Sequence, residues 1–134
     1  MIEGVDPSDT DTMDELDARV WCFINNEVYM ENVTENDYGK KLTSHVRVKG
    51  EYKKNKICRY SRYTRSRDAL KSIRPDGWWF ICAMHEEGCT CECAVFYEDD
   101  EIRIIESPEL PTEELAELHA IIQAIEYERK TNSE

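Results

Sequence analysis

Sixteen residues, Trp78–Cys93 (WWFICAMHEEGCTCEC), hold four of the six cysteines, one of the three histidines and two of the three tryptophans in this 134-residue chain. Thiolate and imidazole are ligands that zinc prefers, and four of them must converge tetrahedrally to close a structural site. Cys82 and Cys89 flank the six residues AMHEEG. A hairpin joining the segments on either side would place both sulfurs at its neck, with Gly88 suited to the reversal. His85 lies in the same loop. Cys91 follows Cys89 by two residues and points to the same side if the segment is a strand. The candidate ligands are therefore Cys82, Cys89, His85 and Cys91, with Cys58 and His45 in reserve, and zinc is the candidate cofactor. Two other readings of the cluster stay open. Cys91 and Cys93 share a strand face with Val95 and Tyr97 and also read as buried core thiols. The spacing also admits disulfides.

The stretch Gly77–Phe96 (GWWFICAMHEEGCTCECAVF) resembles the centre of FLYWCH-type zinc fingers, in the wider WRKY/GCM-like group. In that pattern aromatics, here Trp78, Trp79 and Phe80, precede a first zinc cysteine, here Cys82. Six or more residues follow, then a second zinc cysteine, here Cys89, and a β-strand. Tyr38–Leu42 (YGKKL) and the tyrosine-rich basic strands look like the family's N-terminal strands, so the resemblance covers about residues 36–106. It implies a nucleic-acid-binding zinc module. Phe80 stands where the family has a tryptophan two residues before the first cysteine. Glu106–Pro111 (ESPELP) stands where the family closes its site with His-x-His.

The net charge of −12 hides a strong segregation. Residues 40–74 carry thirteen Lys and Arg against only Glu51 and Asp68, a balance of +11, while the remainder stands at −23. Within that basic segment Arg47, Lys49, Lys53, Lys54, Lys56, Arg59, Arg62, Arg65 and Arg67 are interleaved with Tyr60 and Tyr63. Mobile cations suit phosphates, and tyrosines suit stacking on exposed bases. These eleven residues are the candidate nucleic-acid surface. A basic docking surface for an acidic protein, and internal compensation by the acidic tail and helix, are the competing readings.

The elements that would position these groups follow from periodicity. Val20–Ile24 and Glu27–Glu31 around Asn25-Asn26 read as a hairpin. His45–Tyr52 and Lys56–Tyr63 alternate like half-exposed strands, and Arg65–Ile73 reads as a short helix or basic loop. Trp78–Met84, Thr90–Glu98 and Glu101–Glu106 read as strands. Thr112 caps a helix over Thr112–Lys130, with Glu113 and Glu114 at its positive end and apolar residues at helical spacing. The expected fold is α+β: a twisted antiparallel sheet of five to seven strands with one C-terminal helix. The division is an acidic disordered tail over 1–18, a zinc-finger-like β domain over 19–107, a helix packed on it over 108–130, and a tail over 131–134.

The acidic start MIEGVDPSDTDTMDELD has neither the basic opening nor the apolar run of a secretory signal, and no run reaches membrane-span length. The expected setting is nuclear or cytoplasmic, without a membrane partner. There is no glycine-rich phosphate loop, nucleophile elbow or paired-histidine helix, so no enzyme is expected. The expected function is a nucleic-acid-binding, FLYWCH-like regulatory module acting on nucleic acid or an acidic protein surface. A protein partner or dimer contact through the C-terminal helix is also anticipated. The alternative is an acidic protein-binding inhibitor or adaptor, a nucleic-acid mimic among its forms, with no nucleic-acid binding of its own.

Overall fold

The computed structural model describes residues 2, 4–26, 28–35, 41–48, 62–96 and 102–132, with 11, 28–35, 41–48 and 132 described by their backbone. Along the chain run α1 (Thr10–Ile24), β1 (Val28–Glu35), β2 (Lys41–Val48), α2 (Arg67–Lys71), β3 (Trp78–Met84), β4 (Cys89–Phe96), β5 (Ile102–Glu106) and α3 (Glu113–Asn132). The class is α+β, but the expected single sheet of five to seven strands with one helix does not form. Among the described residues, β1 and β2 make a two-stranded antiparallel ribbon beside α1. A separate antiparallel sheet has the order β3-β4-β5, and the described residues form three helices. No helix among the described residues is long and apolar enough to cross a membrane. Most of the expected strand Lys56–Tyr63 lies outside the described residues.

The largest departure is at the N-terminal end, where the expected strand Val20–Ile24 is the last part of α1. β-branched and aromatic residues make VWCFI look like a strand. Helical spacing starts earlier and prevails: Met13, Leu16 and Val20 fall on one buried face. Asp9 starts the helix by accepting from Thr12 N at 3.3 Å and Thr12 Oγ1 at 2.8 Å. Asn26, with φ 54°, ends it in the left-handed region that asparagine tolerates. The hairpin partner of β1 is therefore β2, not Val20–Ile24.

Two of the acids in this region are tied down. Asp17 is buried; it accepts from Thr64 N at 2.9 Å and from Arg65 Nη2 at 2.9 Å. Arg65 also reaches Asp14 at 2.5 Å. Helix α1 has no basic residue in its last turn, and Arg129 of α3 supplies the missing cation. Its Nη2 donates to Phe23 O at 2.8 Å and Ile24 O at 3.3 Å, satisfying carbonyls that a helix end leaves open.

The expected C-terminal helix forms as α3. Thr112 Oγ1 accepts from Leu115 N at 3.2 Å. The buried band of α3 comprises Leu115, Ala116, Leu118, Ala120, Ile121, Ile122 and Ala124, taken up by the three-stranded sheet and by α2. Within that band sits Glu117, with no exposed surface. Arg74 Nη2 donates to its Oε1, and Arg67 Nε lies 3.0 Å from its Oε2. Arg67 Nη1 also binds Glu113 Oε2 at 2.6 Å.

A buried carboxylate is tolerable only while its cations stay in place, and breaking such a pair from one side costs far more than losing a surface pair. Glu117→Ala is expected to destabilise the fold by about 3–5 kcal/mol. Glu113→Ala, at a half-exposed partner of the same arginine, is expected to cost about 1 kcal/mol or less. Urea denaturation of both variants reads the difference; equal midpoints would remove Glu117 from its central place.

Candidate functional site

The hairpin of β3 and β4 sets Phe80 opposite Cys93, Cys82 opposite Cys91, and Met84 opposite Cys89. Because side chains alternate along a strand, Phe80, Cys82, Cys89, Cys91 and Cys93 share the face beneath α3. Cys93 Sγ donates to Ala120 O of that helix at 3.7 Å. Cys89 exchanges two backbone hydrogen bonds with Leu110, at 2.7 and 2.8 Å. Gly88 makes this approach possible, since a Cβ there would lie 2.8 Å from Leu110 O. Its role is this close backbone passage.

The proposed zinc ligands do not come together. His85 is exposed, and its Nε2 lies 2.9 Å from Thr90 Oγ1. Thr90 stands between Cys89 and Cys91 on β4, so its side chain is on the opposite face. The imidazole is thus drawn to one side of the sheet while the three sulfurs occupy the other. Among the described residues no group of three or more His, Cys, Asp or Glu is placed to hold a metal ion. As placed, Cys82, His85, Cys89 and Cys91 do not converge on one point. Cys58 lies outside the described residues, and His45 is described only by its register position opposite Glu31.

The thiols of Cys89, Cys91 and Cys93 are instead free and enclosed. Burial pushes the Cys89, Cys91 and Cys93 thiols up, Cys93 to about 11. Cys91 is raised further by its thiol hydrogen bond with Cys82. Cys82 is the partly exposed member, with Arg67 Nη2 3.9 Å from its sulfur.

The candidate nucleic-acid residues divide three ways. Lys49, Lys53, Lys54, Lys56, Arg59 and Tyr60 lie outside the described residues, and Arg47 is placed only by its register opposite Tyr29. Arg62 is exposed. Tyr63 is buried, Arg65 is engaged by Asp14 and Asp17, and Arg67 by Glu113 and Glu117. These last three hold the fold together.

The opposite face of the same sheet carries the feature that sequence reading missed. Trp79, Ala94 and Ile104 form one cross-strand row; Phe96 and Ile102 form the next. Ile81 continues the surface on the other side. Ile81, Phe96, Ile102 and Ile104 each keep 52–58% of their surface exposed, and Trp79 keeps 37%. Trp79 and Phe96 stack at 6.2 Å between ring centres. Beside Ile81, Glu92 and Glu106 are directly opposed across β4 and β5, and the exposed Glu86 and Glu87 lie in the turn at that end. The available signal was apolar residues at consecutive positions in WWFICAM and IRII, more than one buried face requires.

Comparison with family models, with curated proteins and with solved structures finds no match to this chain.

The raised Cys93 thiol makes a pH prediction. Its proton is held more tightly folded than unfolded, so the stabilisation is complete below about pH 9 and is lost as pH rises toward 11. Urea midpoints should fall over that window by an amount equivalent to roughly 1–3 kcal/mol from this group. Cys93→Ala should show a shallower fall; an identical slope would assign the pH dependence elsewhere.

Proposed function

We propose that this chain is a non-catalytic protein-binding module, an adaptor or inhibitor, that seats an apolar, lysine- or arginine-bearing segment of a partner protein on the outer face of the β3-β4-β5 sheet. The observation that carries this reading is the row of Trp79, Ile81, Phe96, Ile102 and Ile104 on the face opposite α3. Contiguous exposed apolar surface marks interaction sites, and a sheet with one helix layer has room for a second on its other side. Charge supports a basic partner. Glu92 and Glu106 are like charges in directly opposed positions, which is unfavourable until a cation joins them. Face-to-face stacking of a second copy would instead bring together two such pairs on chains of net charge −12. The setting proposed is a reducing one, cytoplasm or nucleus, where thiols stay free.

Nucleic-acid binding is the second reading. It is favoured by Lys49, Lys53, Lys54, Lys56 and Arg59 with Tyr52 and Tyr60 in the basic segment.

A synthetic amphipathic helix of leucine and lysine, titrated against the full chain with tryptophan emission as readout, separates these readings. The expected result is saturable binding in about the micromolar-to-millimolar range. Ile104→Asp should weaken it about tenfold, although it adds a negative charge that would strengthen non-specific attraction. Unchanged affinity in that variant would overturn the docking face. Oligonucleotide affinity that falls steeply with salt and ignores Ile104→Asp would favour the second reading.

A further inference from the structure

Cys82 and Cys91 face each other directly across β3 and β4. Opposed residues in an antiparallel pair hold their Cα atoms about 4.5–5.5 Å apart, within the roughly 4.4–6.8 Å that a disulfide spans. Among the described residues no other two cysteines are register partners: Cys93 faces Phe80, Cys89 faces Met84, and Cys22 lies in α1. The two thiols are inequivalent. Cys82 sits on an edge strand, is partly exposed, and has the Arg67 guanidinium 3.9 Å from its sulfur. Cys91 is wholly enclosed. A partly exposed thiol beside a cation is the usual setting for attack on an electrophile, and the directly opposed Cys91 sulfur is the one within reach to resolve the product.

We propose that Cys82 and Cys91 form a two-electron thiol site that reduces a hydroperoxide and closes as a disulfide across the sheet. Cys82 Sγ attacks the terminal oxygen of ROOH. The O–O bond breaks, and the thiol proton leaves with the alkoxide as ROH, giving the Cys82 sulfenic acid. Cys91 Sγ then attacks the Cys82 sulfur. The S–O bond breaks, and hydroxide leaves with the Cys91 proton as water. Two thiols and one hydroperoxide become one disulfide, one alcohol and one water, with two electrons passing from sulfur to oxygen. The strands already lie at disulfide spacing, so closure keeps the register. Arg67 is held by Glu113 and Glu117 independently of its sulfur contact, so closure leaves it in place.

The test uses the reduced full chain, hydrogen peroxide, and maleimide labelling of remaining thiols under denaturing conditions, followed by peptide mass mapping. The expected outcome is four labels instead of six, one cross-linked Cys82–Cys91 peptide pair, and recovery of all six labels with dithiothreitol. Cys91→Ala should stop at a sulfenic acid on Cys82 that dimedone captures. Six labels retained after peroxide treatment that oxidises free cysteine, or a bond mapping to any other pair, overturns the proposal. The wild-type map decides the question even if Cys91→Ala fails to fold.

Discussion

The carboxylate of Glu117 is the constraint from which the rest of the arrangement follows. It is enclosed in the apolar band of α3, where an unpaired charge could not stay, and two arginines hold it. Each arginine also binds elsewhere. Arg67 joins Glu113 on the helix and approaches Cys82 on β3, and the Arg74 guanidinium lies 5.0 Å from the centre of the Phe80 ring. One buried anion therefore fixes α3, α2, the turn before β3 and the inner face of the sheet relative to one another. Asp17 does the same for α1 through Thr64 and Arg65. Apolar burial supplies the bulk of the stabilisation; these two acids select which surfaces meet.

This arrangement changes the meaning of the charge segregation. The basic segment from 40 to 74 reads as a surface for external phosphates, and its last third turns inward. Arg65, Arg67 and Arg74 are counter-ions for acids that lie far away in sequence. Composition alone cannot separate these uses, because a cation facing a phosphate and a cation facing a buried carboxylate are the same residue. The distinguishing clue is weak but present: Glu117 falls among Leu115, Ala116, Leu118 and Ile121 at the centre of a helix face, a position where an acid requires a partner.

Legibility varied by element for physical reasons. Helix α3 announced itself through its cap, its dipole-matched ends and its apolar period, and β3, β4 and β5 through short apolar runs between turns. Helix α1 did not, because seven acids suggest solvated chain and VWCFI has strand composition, and together they mask the stripe of Met13, Leu16 and Val20. Strand number misled for a different reason. Alternation identifies strands but says nothing of which edges pair, and among the described residues the ribbon and the sheet stay separate. The cysteine cluster was legible as a hairpin neck. Its failure to converge depends on the pleat: His85 reaches Thr90 on one face while Cys82, Cys89 and Cys91 occupy the other.

The outer sheet face also sets a limit on how it can work. Burying a large apolar side chain contributes about 1.5–3 kcal/mol, and the five residues there are already partly covered. The gross gain is then comparable to the roughly 4–15 kcal/mol lost on association. On the proposed docking, the apolar row alone would give weak, readily reversed binding. On that proposal, selectivity would come from the carboxylates at its end. Glu92 and Glu106 repel each other and any acidic neighbour, and a cation placed between them relieves that repulsion only for a segment laid in one direction. The pair placed directly opposite each other at the end of the face is what would orient its partner.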